Sequence, residues 1–75
     1  MNRLPQLKAR QLTRALIALG FIFKRQKGSH AFYQHPSTGR STVVPMHAGE
    51  DLDRSLVHAI IKEAEITPEE LLDVL

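Results

Sequence analysis

FIFKRQKGSHAFYQHPSTGRSTVVP, residues 21–45, is the stretch on which the fold turns. In FIFKRQ, Phe21 and Phe23 alternate with Ile22 and Lys24, the period of a strand with at least one buried face. Lys27-Gly28-Ser29 is a turn, because Gly28 tolerates a positive φ. His30-Ala31-Phe32-Tyr33-Gln34-His35 reads as a second strand, and Pro36-Ser37-Thr38-Gly39 as a second turn. Arg40-Ser41-Thr42-Val43-Val44 is β-branched and stops at Pro45, which removes a ladder donor. Three strand-like runs joined by two short turns predict an antiparallel meander.

Helices flank this meander on both sides. Leu12, Leu16 and Leu19 recur at i, i+4 and i+7, with Leu4 and Leu7 before them. They predict a helix of about 14 residues closed by Gly20. After a loop at Met46–Glu50, Leu52, Leu56, Ile60 and Ala64, with Val57 and Ile61, predict a second helix capped by Asp51 or Asp53. Thr67-Pro68-Glu69-Glu70 is a helix start, with Thr67 as N-cap, Pro68 at the first helical position and Glu70 completing a capping box. A short third helix then carries Leu71, Leu72, Val74 and Leu75. The expected fold class is α+β: helix, three-stranded antiparallel sheet, helix and a short C-terminal helix. That is the plan of double-stranded-RNA-binding domains. Phe21, Phe23 and Phe32 are expected in the core. Phe32 and Tyr33 are neighbours on one strand, so one of the two must face away from the helices. Tyr33 either packs in the sheet or stacks on a base.

At 75 residues the chain is read as a single domain, residues 1–75. Such a domain buries only about 60% of its unfolded surface, so modest stability or stability borrowed from a partner is expected. It has no Cys, which excludes disulfides, a thiol nucleophile and Cys-ligated zinc. The N-terminal residues lack the apolar core of a signal peptide, and no run is long enough to span a membrane, so a cytoplasmic location is expected.

Charge is the main compositional signal. Residues 1–47 hold eight cations (Arg3, Lys8, Arg10, Arg14, Lys24, Arg25, Lys27 and Arg40) and no carboxylate, whereas residues 48–75 hold eight carboxylates and two cations. A segment this basic points to a polyanion, most simply nucleic acid, over an ordinary solvated face. The densest part is Lys24-Arg25-Gln26-Lys27-Gly28-Ser29-His30. Cations there can hold a phosphodiester and stabilise charge developing on it. The imidazole of His30 titrates near neutrality and can move a proton. RNA carries its own nucleophile in the 2′-hydroxyl, so a base, cations and positioning suffice for cleavage. No metal or other cofactor is expected, because magnesium sites want carboxylates and the basic half has none. His30 and His35 are five apart on one strand and point to opposite faces. His58 reads as structural or solvated. Ser29 beside His30 is not a nucleophile–base pair, since strand neighbours diverge.

Taken in order, Gly20-Phe21, Arg25-Gln26-Lys27-Gly28-Ser29-His30, His35-Pro36, Val44-Pro45-Met46-His47 and Ile66-Thr67-Pro68-Glu69-Glu70 closely resemble the HicA toxins of bacterial and archaeal toxin–antitoxin systems. The resemblance covers nearly the whole chain. It implies a double-stranded-RNA-binding-domain-like fold and a ribosome-independent mRNA interferase whose active-site histidine lies in the Gly-Ser-His motif, here His30. It also implies a HicB antitoxin that covers the site, and a complex that reaches operator DNA only through the antitoxin. The resulting expectation is an RNA endonuclease that works by metal-independent transesterification. His30 is its acid or base, and His47 the candidate for a second one. Lys27 and Arg25 oppose the developing charge, while Gly28 and Ser29 shape the turn and donate hydrogen bonds to phosphate. Lys8, Arg10, Arg14, Lys24 and Arg40 track the RNA backbone. Two other functions fit the same residues. One is a non-catalytic double-stranded-RNA-binding module; the other is a protein that docks its basic face on an acidic partner.

Overall fold

The structure, a computed structural model, describes residues 4–47 and 49–75; Arg3 and Ala48 lie outside the described residues. In chain order the elements are β1 (Leu7–Lys8), α1 (Ala9–Ala18), β2 (Ile22–Lys27), β3 (His30–Gln34), β4 (Ser41–Pro45), β5 (Asp51–Leu52), α2 (Arg54–Glu63) and α3 (Pro68–Val74). The predicted meander is present as an antiparallel sheet in the order β2-β3-β4. Together with the three helices it makes the α+β, double-stranded-RNA-binding-domain-like arrangement expected from the pattern. Among the described residues no helix is long and apolar enough to cross a membrane.

The first helix is shorter than its leucine spacing suggested. It spans ten residues from Ala9, because Leu7 and Lys8 pair instead with Leu52 and Asp51 as a two-stranded ribbon. Pro5 upstream disfavours helix in the residue before it. Leu4 and Leu7 still reach the core, 1% and 2% exposed, from outside the helix. Arg54 Nε donates to the Leu4 carbonyl at 2.9 Å and Gln6 Nε2 to the Leu52 carbonyl at 2.7 Å. Both hold the entering segment against the start of α2. Of the two proposed caps for that helix, Asp53 acts, accepting from the Ser55 N–H at 3.1 Å. Asp51 is in β5, 3.1 Å from Lys8 Nζ. Leu52 is buried in β5, not on the helix, and Leu56 is 37% exposed, so the helix buries Val57, Ile60 and Ile61.

Both long helices end in the same way. Past α1, the Gly20 N–H donates to the Ile17 carbonyl and the Phe21 N–H to the Leu16 carbonyl, each at 3.0 Å. Past α2, the Glu65 N–H donates to Lys62 and the Ile66 N–H to Ile61. Each is a Schellman closure that needs a left-handed residue, Gly20 at φ 99° and Glu65 at φ 58°. Gly20 is required for space as well. A Cβ built there would lie 2.7 Å from His35 Nε2, and the His35 ring stands edge-on to Phe21 at 5.3 Å.

The core lies between the helices and one sheet face, with Leu12, Leu16, Phe21, Tyr33, Val44, Ile61 and Leu71 all buried. Thr42 is the polar link between the layers. Its hydroxyl lies 3.2 Å from the Ile60 carbonyl and 3.0 Å from Glu63 Oε1, and its single proton serves one of these acceptors at a time. Two aromatic residues depart from expectation. Phe23 is 51% exposed, because β2 is an edge strand with all six residues exposed. Phe32 is half-buried on the face turned away from the helices, while Tyr33 is buried beneath them. The third helix starts as predicted, with the Thr67 hydroxyl accepting from the Glu70 N–H at 3.1 Å and the Glu70 carboxylate from the Thr67 N–H at 2.9 Å.

Gly20→Ala combines an unfavourable φ with the collision against His35, and is expected to cost about 1–3 kcal/mol. Urea unfolding should show a lower midpoint at unchanged slope; a midpoint equal to wild type would mean that His35 yields freely. The backbone hydrogen bond from Thr67 holds the Glu70 carboxyl below its ordinary range, helped by the Thr67 hydroxyl and the charge of Arg40. A lowered native pKa stabilises the fold at pH above the ordinary glutamate value and is lost as pH falls through the lowered value. Glu70→Gln should therefore flatten the acid limb of a stability–pH profile. An unaltered limb would dissociate the cap from acid unfolding.

Candidate functional site

The candidate site is the sheet face that no helix covers. Along β3 the residues alternate: Ala31 and Tyr33 are buried, while His30, Phe32 and Gln34 point the other way. In β4, Thr42 and Val44 are buried, and Ser41, Val43 and Pro45 share the outer face. Cross-strand partners share a face. Lys27 pairs with His30 and Arg25 with Phe32, so both cations belong to the outer face. His30 pairs on its other side with Pro45, and Phe32 with Val43. The face therefore has one row of Lys27, His30 and Pro45, and beside it a row of Arg25, Phe32 and Val43.

A bulge makes this arrangement possible. Residues 21, 23, 25 and 27 would share one face of a regular strand, which would place Phe23 outside with the cations. The register shifts between Phe23 and Arg25, so Lys24 is the additional residue. Phe23 thereby pairs with Tyr33 on the helix-covered side, the two rings 5.7 Å apart at 71°. Arg25 and Lys27 emerge on the outer side. The sequence shows alternating Phe and then alternating cations, but not the slip between them.

The turn before His30 is pinned on both sides. Gly28 has φ 59° and Ser29 has no positive φ, the pattern of a type II′ hairpin turn. Gln26 Nε2 donates to the Gly28 carbonyl at 3.1 Å. The Met46 N–H donates to the Ser29 carbonyl at 2.6 Å, which extends the β3–β4 ladder one step past His30. The backbone of His30 is thus held on a central strand while its ring is exposed. Among the described residues no carboxylate orients that imidazole. Lys24 and Lys27 are exposed and form no ion pair among the described residues, where the two pairs are Lys8–Asp51 and Arg40–Glu65. Arg25 is engaged differently: its guanidinium carbon sits 4.6 Å from the centre of the Phe32 ring. Sequence reasoning missed this pair, although the adjacent Phe32 and Tyr33 signalled that one aromatic must lie outside.

The remaining candidates are spread around the domain. His47 follows β4 and lines a cleft of about 460 Å³ with Lys8, Ala9, Arg10, Met46 and Gly49. It lies at the same end of the sheet as the Gly28-Ser29 turn. Lys8 is tied down there by Asp51 and the Gly49 carbonyl, at 3.1 and 3.2 Å. Arg14 lies further along α1, in a separate depression with Gln11, Val74 and Leu75. Arg40 is at the far end of the sheet, 3.5 Å from Glu65. His35 is also at that end and on the helix side, as the five-residue spacing from His30 predicted. Its Nδ1 accepts from the Ser37 N–H at 3.2 Å. The Gly20-Phe21 and His35-Pro36 motifs therefore meet in a structural cluster, whereas Gly28-Ser29-His30 stands open at the opposite end.

The model of the HicA toxin family of bacterial toxin–antitoxin systems matches residues 9–66, from the first helical residue to the turn before Thr67. No curated protein matches the chain closely enough to count as a relative. The family match covers more than three quarters of the 75 residues, including the whole meander and the exposed histidine row, so the chain belongs to the HicA toxin family of bacterial toxin–antitoxin systems.

Proposed function

We propose that this toxin is an endoribonuclease that cleaves mRNA, with His30 as its general acid or base, and that a HicB-like antitoxin neutralises it by covering the same face. The observation that supports this most is the Lys27–His30 row: an exposed imidazole beside an unpaired ammonium, on an open sheet face with a rigid backbone beneath. That face carries Ile22, Arg25, Lys27, His30, Phe32, Gln34, Ser41, Val43 and Pro45, and no carboxylate among them. It suits a polyanion and offers nothing a magnesium ion would choose.

The chemistry follows from the groups at hand. The ribose 2′-oxygen attacks the adjacent phosphorus as its proton leaves, and the 5′-oxygen departs with a proton. The products are a 2′,3′-cyclic phosphate and a 5′-hydroxyl. His30 takes the first proton or supplies the second. Lys27 opposes the charge that builds on the phosphoryl oxygens, with Arg25 one row away. Gly28 and Ser29 let the phosphate approach the turn backbone. His47, at the same end of the sheet, is the candidate for the complementary proton transfer. Arg10 lines the cleft with His47 at this end, while Lys24 lies further along β2 at the bulge; both would hold neighbouring phosphates. Lys8, Arg14 and Arg40, each paired or remote, would meet only a longer RNA. An antitoxin that presents carboxylates to this face would compete with RNA and associate quickly by electrostatic steering.

The imidazole lacks an orienting carboxylate, and this favours a second reading, that of a binding module for double-stranded RNA without catalysis. Cleavage assays separate the two. His30→Ala is expected to fold normally and to lose about 10²–10⁴-fold in cleavage rate, and to abolish growth arrest when expressed without its antitoxin. Activity should persist in excess EDTA, with cyclic-phosphate ends on the products. A folded His30→Ala chain that still cuts RNA at the wild-type rate would remove the histidine from the mechanism. Lys27→Ala should weaken RNA binding and lower the slope of log affinity against log salt by about 0.7, the value for one phosphate contact on a single strand. An unchanged slope would place that ammonium away from the backbone.

A further inference from the structure

We infer that Phe32 and Arg25 form a nucleobase-stacking subsite that holds the base next to the scissile phosphate, and so restricts cleavage to unpaired RNA. This rests on the nuclease reading of the His30 face and names its substrate class. Phe32 is half-buried in the middle of the helix-free face, where a residue serving only the core has no reason to be. Its ring carries a guanidinium at 4.6 Å. Aromatic rings and arginine planes are the two protein surfaces on which unstacked bases settle. In the complex the base takes the place of the guanidinium on the ring, and Arg25 stacks on the base's outer side. Val43 is the cross-strand partner of Phe32 on β4 and shares its face, which leaves an apolar floor without hydrogen-bond readout.

Spacing connects the subsite to the chemistry. His30 and Phe32 are two residues apart on one strand and share a face, roughly 6.7 Å along it. Within a helix both faces of a base are covered by its neighbours along the strand, about 3.4 Å away on either side. With its phosphate at His30, an RNA can lay the adjacent base on Phe32 only if that base leaves the stack. A base-paired strand cannot do this without opening, so the subsite selects single strands and tolerates any base.

The test uses the full chain and a mixed-sequence RNA carrying 2-aminopurine at every third position, 2′-O-methylated throughout so that it cannot be cut. Saturating wild-type protein should quench the fluorophore, and the duplex of the same strand should show no such quenching. Phe32→Leu should abolish the quenching and weaken binding roughly ten-fold, in the range for losing one base–aromatic stack. Phe32→Trp should restore both. With cleavable single-stranded RNA, Phe32→Leu should raise KM more than it lowers kcat, and duplex RNA should remain uncut. Equal quenching by wild type and a folded Phe32→Leu chain overturns the subsite. If Phe32→Leu does not fold, crosslinking of 4-thiouridine RNA to the wild-type chain decides: the crosslinked peptide must contain Phe32, and crosslinks confined to other strands overturn it. Cleavage without quenching would remove the stacking and leave the nuclease. Quenching without cleavage would do the reverse.

Discussion

A single extra residue in β2 reconciles two demands that a regular strand cannot meet together. The helix-covered side takes an aromatic from β2, Phe23 against the Tyr33 ring, and the open face takes two cations from the same strand. Phe23, Arg25 and Lys27 have one parity in sequence, so an unbroken strand would put all three on one side. It would also set Lys24 against Tyr33 on the apolar side, burying part of a charged chain without a partner. The slip between Phe23 and Arg25 removes both conflicts. Lys24 becomes the exposed extra residue, as bulges on edge strands commonly provide. The geometry around His30 depends on this slip, because it decides which side Lys27 and Arg25 share with the imidazole.

The sheet then divides by function along its length. At the end away from His30 the contacts are dense: Gly20 closes α1 against His35, Phe21 meets the same ring, and Arg40 reaches Glu65 beyond α2. That end joins the sheet to both helices. At the His30 end Lys27 and His30 are exposed and Lys27 forms no ion pair among the described residues, but the backbone is pinned by Gln26 on one side and Met46 on the other. A fixed main chain under free side chains is what a site needs when it must desolvate a phosphate without first rearranging itself. The motif residues divide in the same way, with Gly20, Phe21 and His35 building and Gly28, Ser29 and His30 presenting.

The sequence disclosed the elements well, because their signals are local. Alternation marked the strands, and Gly20, Thr67 and the pair Asp51 and Asp53 marked helix ends by chemistry that acts within a few residues, with only the structure choosing Asp53. What escaped it was non-local. Leu4 and Leu7 read as a run-in to the leucine stripe of the first helix but are buried from outside it, since Leu7 finds a partner 45 positions later in Leu52. Leu52 extends the stripe of the second helix for the same false reason. Phe32 reads as core by composition, and only the pairing of β3 with both neighbours shows which face it occupies. Of the candidate cations, sequence could collect Lys8, Arg14 and Arg40 with Lys24 and Lys27. It could not show that Lys8 and Arg40 find carboxylates in the acidic half, which leaves the turn as the least neutralised part of the surface.

That neutralisation gives the charge asymmetry its physical meaning. The carboxylates of residues 48–75 fall in or beside β5, α2 and α3, the elements that lie behind or beside the sheet. Where they come near cations of the basic half, at Asp51 and Glu65, they cancel them. The open face has no carboxylate to do this, so Lys27 stands beside His30 with no ion-pair partner among the described residues. A net charge of +2 is a weak attraction for a polyanion at a distance. The same residues divided into a positive front and a negative back make a dipole that turns an approaching polyanion toward the histidine row before any contact forms.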